Sequence, residues 1–329
     1  MLNINRRQVV SMTAAGLAAA VSPGLFAQPA GKPVRLIVPI PAGGSTDALA
    51  RLLADKLRTR YAPTIIVDNR VGAGGRIGVE AVKNGDADGT TLLFTPDFPI
   101  TLFPSIYKKM PYELKDLAPV ASCGVTSMAL AAGPGLPDRI KTLAEFVQWA
   151  KANPKLASYA TPPAGSTPHF AGMMLAKASG AELLNVAYKG GAPAVQDLLG
   201  GQVPVAVNPV GEILQHVKAG KLRVLATTGP TRSRFLPDVP TMVESGYRDV
   251  VVQSWLGMFA PAATPAATVN KLNAALMEVL QDAEVAEAFG RIGFEVAPLA
   301  SAASFTAMAQ GDVQKWAGVV KATGFTAEE

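Results

Sequence analysis

Residues 34–60 read VRLIVPIPAGGSTDALARLLADKLRTR, and the seven in the middle, PAGGSTD at 41–47, decide the fold. Ahead of them lies an apolar run, VRLIVPI, with the composition of a buried strand. Behind them, leucine and alanine recur at helical spacing from Ala48 to Arg60. In between, Gly43 and Gly44 let the main chain turn tightly with no β-carbon in the way, and Ser45, Thr46 or Asp47 suits the cap of the following helix. A helix started in this way aims its first free amides and its positive dipole end beyond the loop, which favours an anion.

The same alternation runs on through the chain. Strand patterns at 64–69, 90–96, 127–133, 157–162, 185–190, 203–209 and 223–229 are interleaved with helical patterns at 77–84, 143–153, 169–179, 192–201 and 212–220. Strands separated by helices of this length call for parallel sheets covered on both faces, so the predicted fold class is α/β. Such sheets take ligands beyond the carboxyl ends of their strands. A second loop of the same design, PAGST at 163–167, also stands between a strand pattern (ASYATP) and a helical one (HFAGMMLAKAS). Two readings fit the pair: independent helix-capping loops, or facing loops that grip one ligand from two lobes.

Composition removes several classes. With 49% hydrophobic and 17% charged residues over 329 positions, the chain is apolar enough for two folded lobes. Arg6 and Arg7, the mildly apolar run from Val9 to Val21, Pro23 and the small residue Ala27 together make a signal peptide over residues 1–27, of twin-arginine-like or general secretory type. That run is shorter than the roughly 20 residues a bilayer span requires, and a periplasmic location is expected. Losing Arg6 and Arg7 takes two charges from the formal net charge of +5 and leaves +3. No basic run with interleaved aromatics suggests nucleic acid. Cys123 is the single cysteine, and His169 and His216, the two histidines, have no thiol or carboxylate cluster at ligand spacing, so no metal or other cofactor is expected. In NRVGAGGRIG, Ile77 stands where a dinucleotide fingerprint would want its third glycine. Ser105 and Lys108 match S-x-x-K without the elements that accompany it in penicillin-recognising enzymes.

Longer segments carry a family resemblance. PVRLIVPIPAGGSTDALARLLADKL, IIVDNRVGAGGRIGVEAV, MPYELKDLAPVA, SYATPPAGSTPHFAG, VAYKGGAPAVQDLLGGQV and FLPDVPTMVESGY occur in this order. Together they resemble the substrate-binding proteins of tripartite tricarboxylate transporters, the Bug receptors, along nearly all of the mature chain. The resemblance implies a type II periplasmic binding protein: two αβ lobes joined by two crossover strands, closing like a Venus flytrap on a small carboxylate. It implies a discontinuous first lobe, 30–126 plus 253–329, around a second lobe at 127–252, with the C-terminal helical patterns packing on the first. The implied partners are a carboxylate ligand and a membrane permease or sensor protein, with the receptor acting as a monomer.

Carried over motif by motif, the first-lobe loop is Pro41, Ala42, Gly43, Gly44, Ser45, Thr46 and Asp47. The facing loop is Ala164, Gly165, Ser166, Thr167 and His169, with Tyr188 and Asn208 lining the cleft. Each residue has a plainer role beside the binding one: Asp47 ordering its loop, His169 filling the first helical turn, Asn208 satisfying its own turn. Asp97 departs from the family pattern, and two readings stand. It selects a cationic or amine-bearing carboxylate, or it is a loop acid that shapes a turn. The rival function is a periplasmic hydrolase with Ser45 or Ser166 as nucleophile.

Overall fold

Strand β1 (Val34–Val38) and helix α1 (Ser45–Leu57) flank the PAGGSTD loop. Leu49, Leu53 and Leu57 recur every four residues on one face of α1 and are fully buried, each contributing about 1.5–3 kcal/mol. Asp47 in the first turn and Lys56 in the last complement the helix dipole. The computed structural model describes residues 32–298 and 300–327, and the export signal expected at 1–27 lies outside them.

Ten strands form one connected sheet among the described residues. The main path runs β2 (Ile65–Asn69), β1, β3 (Thr91–Pro96), β9 (Gln253–Pro261), β4 (Leu117–Ala132), β7 (Val205–Pro209), β5 (Ser158–Thr161) and β6 (Leu184–Ala187). β8 (Arg223–Thr227) and β10 (Glu295–Val296) pair with β4 off this path. β4 divides the molecule. Its residues 117–127 pair with β9, whereas 128–132 pair with β7 on one edge and 129–132 with β8 on the other. The chain is thus an α/β protein of two lobes sharing one long strand.

At the changeover three segments are stitched together. Met128 N donates to Thr228 Oγ1 at 2.9 Å, Thr228 N donates to Met128 O at 2.9 Å, and Val252 N donates to Thr228 O at 2.9 Å. A second bond runs from the Thr228 hydroxyl to Val252 O. These threads are where the chain passes between lobes, the place for a hinge.

The sheet is mixed rather than parallel. β1, β2 and β3 are mutually parallel, as are β5, β6 and β7, but β9 runs antiparallel to β3 and β4, and β4 antiparallel to β7 and β8. Helical crossovers constrain only the strands they join; a strand returning from the other lobe enters from the opposite end. The strand expected at 127–133 begins ten residues earlier, at Leu117, with register shifts on either side of Ser122 absorbing Pro119 and Gly124. Two four-residue helices, α3 (Phe98–Thr101) and α4 (Phe103–Ile106), occupy DFPITLFPSI, where Pro99 and Pro104 sit in first turns that tolerate them.

The C-terminal helix α11 (Ala302–Thr323) touches both lobes. Phe305 and Ala309 pack with Ile37, Trp255 and Phe259 of the first, while Trp316 and Val320 share a core with Phe146 and Phe170 of the second.

Candidate functional site

The two glycine loops are tied by the same local device. Gly43 adopts φ 92°, and its amide donates to Asp47 Oδ2 at 3.1 Å, four residues on. Asp47 also accepts from Asn69 Nδ2 at 3.0 Å and Arg51 Nε at 3.1 Å. Burial pushes the Asp47 carboxyl upward, but the bonds from Arg51, Gly43 and Asn69 outweigh it and hold the group below its ordinary range. In the second loop Gly165 adopts φ 75°, and its amide donates to His169 Nδ1 at 2.9 Å, again four residues on. Burial pushes the His169 imidazole down to about 4, so the ring is neutral, with its proton on Nε2 and Nδ1 free to accept. Asp47 and His169 therefore order their loops from behind.

Each lobe places a carboxylate against the other lobe's helix start. Glu212, in the first turn of α8 (Val210–Lys218) after β7, accepts with Oε1 from Ser45 N at 3.0 Å and Ser45 Oγ at 2.6 Å. Asp97, at the end of β3, accepts with Oδ2 from Thr167 Oγ1 at 3.1 Å, at the start of α6 (Thr167–Ser179). The Ser254 hydroxyl of β9 donates to its other oxygen. Fully buried, Asp97 is pushed up to about 7 by desolvation, and Asp312 pushes the same way against the two hydroxyl bonds.

Between these contacts lies a small pocket of about 50 Å³, room for a few waters. The helix starts at Ser45 and Thr46, Phe98, Pro168, Gly191 and Glu212 all border it. Thr126, Ser254, Ile40, Met128 and Phe294 complete the wall, with the Thr126 hydroxyl donating to Gly293 O at 2.9 Å and the Ser254 hydroxyl to Asp97. Glu212 is the one ionisable side chain among the lining residues, and no arginine, lysine or histidine is among them.

The expected site residues do not gather at one cavity. Ser45 and Thr46 border the cavity. Gly43, Gly44 and Ser45 border an outer crevice of about 270 Å³ that Glu212 also lines. Pro41 packs near Gly190, Ala42 is exposed, and Asp47 and His169 stand behind their loops. Ala164 and Tyr188 line a wider cavity of about 570 Å³ with Gly72–Gly75. The Tyr188 phenol donates to Asp197 Oδ2 at 2.7 Å, and desolvation followed by that bond pushes it up to about 12. Asn208 donates to Gly191 O at 3.3 Å, while its Oδ1 and the Ser166 hydroxyl are buried without a partner. Gly165 is packed so closely on Ile106 that a β-carbon there would lie 2.2 Å from Ile106 Cδ1. Thr167 and Asp97 hold each other, so both Asp97 oxygens are engaged by protein hydroxyls and the carboxylate is not among the lining residues.

Glu212, Ser254 and Thr126 went unmarked in the sequence reading. Glu212 looks there like an ordinary acid in a helix's first turn, and only its contact with Ser45 sets it apart.

Known proteins resemble this chain in sequence and in fold. The profile of the family described as "Tripartite tricarboxylate transporter family receptor" matches residues 49–325. Protein BugT of Bordetella pertussis is 36% identical over 96% of this chain and 95% of its own. Among solved structures, the periplasmic binding protein BugD superposes with TM-score 0.83 at 35% identity, covering 90% of this chain and 99% of that one. R. palustris Rpa4515, solved with adipate, gives 0.85 at 29% identity, covering 89% and 98%.

Proposed function

The chain belongs to the tripartite tricarboxylate transporter receptor family, and from that premise we propose that it captures a small carboxylate between its lobes outside the cytoplasm and passes it to a membrane permease or a sensor. The observation that carries this reading is the convergence of helix starts from both lobes on one small pocket. A helix N-terminus stabilises an anion by about 0.3–1 kcal/mol when exposed and up to ~2 when partly buried. A micromolar site needs roughly 8 kcal/mol, so donors from both lobes must meet on one ligand. A pocket of about 50 Å³ holds a few waters and not a dicarboxylate, so in this reading the lobes part to admit the ligand.

The lobe boundaries belong to the proposal: 30–126 plus 253–329 around 127–252, supported by the change of strand partner between Ser127 and Met128. In this reading Ser45 and Thr46 meet the ligand, with Asp47 and His169 holding the loops on either side. Residues 1–27 act as the export signal, and no helix among the described residues is long and apolar enough to cross a membrane.

Binding rather than hydrolysis is favoured by the serines themselves. Ser45 Oγ is bonded to a carboxylate rather than an imidazole, and His169 Nδ1 is taken by the Gly165 amide. The test is a thermal-shift and calorimetric screen of mono- and dicarboxylates, adipate included, with the recovered ligand checked by mass spectrometry. A ligand at a hundred times its Kd should stabilise the protein by about 2.7 kcal/mol and come back unchanged. Turnover abolished by Ser45→Ala or Ser166→Ala would point to the enzyme instead.

A further inference from the structure

Glu212 stands where a ligand's carboxylate is wanted. A single oxygen, Oε1, accepts from both the amide and the hydroxyl of Ser45, the first residue of α1, and both bonds cross between lobes. Two glycines make room for the side chain: a β-carbon at Gly191 would come within 3.0 Å of Glu212 Cγ and Cδ, and one at Gly44 within 3.3 Å of Oε1. The side chain also borders both the inner cavity and the outer crevice, so it has somewhere to go. Gln215 and His216, on the same helix, line that crevice.

We propose that Glu212 is the protein's own stand-in for the ligand: seated on Ser45, it latches the lobes shut in the ligand-free state, and a ligand carboxylate binds by displacing it into the outer crevice. The displacement half rests on the receptor reading above; the latch half does not. A side chain holding the anion position competes with the ligand, so the apparent Kd is raised by the reciprocal of the unlatched fraction. The device also keeps an empty receptor from exposing polar helix starts.

The latch is tested without any ligand. Wild type, Glu212→Ala and Gly191→Ala, each refolded to strip co-purified molecules, are compared by small-angle X-ray scattering, with circular dichroism checking the fold. Both variants should show a larger radius of gyration than wild type, the first by removing the carboxylate and the second by crowding it off Ser45. Glu212→Gln, which keeps the shape and one acceptor, should fall between and serves if the alanine variant does not fold. Equal radii for wild type and the Glu212 variants overturn the latch. For displacement, any carboxylate that stabilises wild type, with adipate as first probe, should bind Glu212→Ala at least tenfold tighter. Unchanged affinity overturns displacement while leaving the receptor reading intact. A panel in which nothing binds either protein sinks the receptor reading, and displacement with it, without touching the scattering result.

Discussion

Asp97 makes stability depend on pH in an unusual direction. Its carboxyl is raised from 3.8 to about 7 by complete burial, with the Ser254 and Thr167 hydroxyls pulling the other way. Between those two values the native state keeps a proton that the unfolded chain has lost. The contribution is therefore fully present below pH 4 and is lost as pH rises through 7. At 1.36 kcal/mol per unit the loss is on the order of 4 kcal/mol, and a group this deeply buried has no solvent to screen it. His169, lowered to about 4 by burial, works in the opposite sense: its contribution is lost as pH falls from 6.5 toward 4. The two partly cancel in wild type, so the measurement is a difference. Asp97→Asn removes the titration and keeps the shape, because each neighbouring hydroxyl can donate or accept. Urea unfolding followed by tryptophan fluorescence at pH 4, 5, 6, 7 and 8 should show the variant gaining on wild type steadily. The gain should reach on the order of 4 kcal/mol by pH 8. A difference that stays flat across the series would show that Asp97 is hydrated or charged throughout, and the account of its burial would fail.

Other substitutions probe the packing that holds the site. Gly172→Ala in α6 places a β-carbon 2.1 Å from the ring of buried Tyr159 and should cost about 1–3 kcal/mol by urea unfolding. Gly318→Ala in α11, with nothing within 4 Å, should instead stabilise by about 0.5–1 kcal/mol; equal effects at the two sites would refute the contact argument. Asp47→Ala strips the acceptor from Gly43 N and Asn69 Nδ2 and should cost roughly 1–3 kcal/mol, together with weaker binding of any carboxylate found to bind wild type. Cys123 is fully buried, and burial pushes its thiol up to about 12, so an aromatic disulfide reagent at pH 8 should label it only at the rate of unfolding. Rapid labelling of the native protein would contradict that burial.

The local parts of this protein were readable from residues close together in the chain. The PAGGSTD and PAGST loops, the strands before them and the helices after them appear where glycine and apolar period place them, but the expected cap is not Ser45, Thr46 or Asp47: Gly44 stands at that position in α1, and no side chain caps either helix. The tie from Asp47 to Gly43 spans four residues, so the loop-ordering role was within reach of sequence. The mixed sheet was not, because strand direction depends on which lobe a strand returns from. The short helices of DFPITLFPSI were obscured by prolines, which mark a turn and a helix start alike.

Sequence by itself determined the α/β class, the two glycine loops with a helix starting after each, and the family. Only the tertiary structure decided what meets those starts: Glu212 reaches Ser45 across 167 positions of chain, and Asp97 reaches Thr167 across 70. Hydrogen-bonding loops and apolar period are short-range properties that a few neighbours encode. A carboxylate one turn into a helix looks the same locally whether it serves its own helix or another's, and that choice is made by how the two lobes pack.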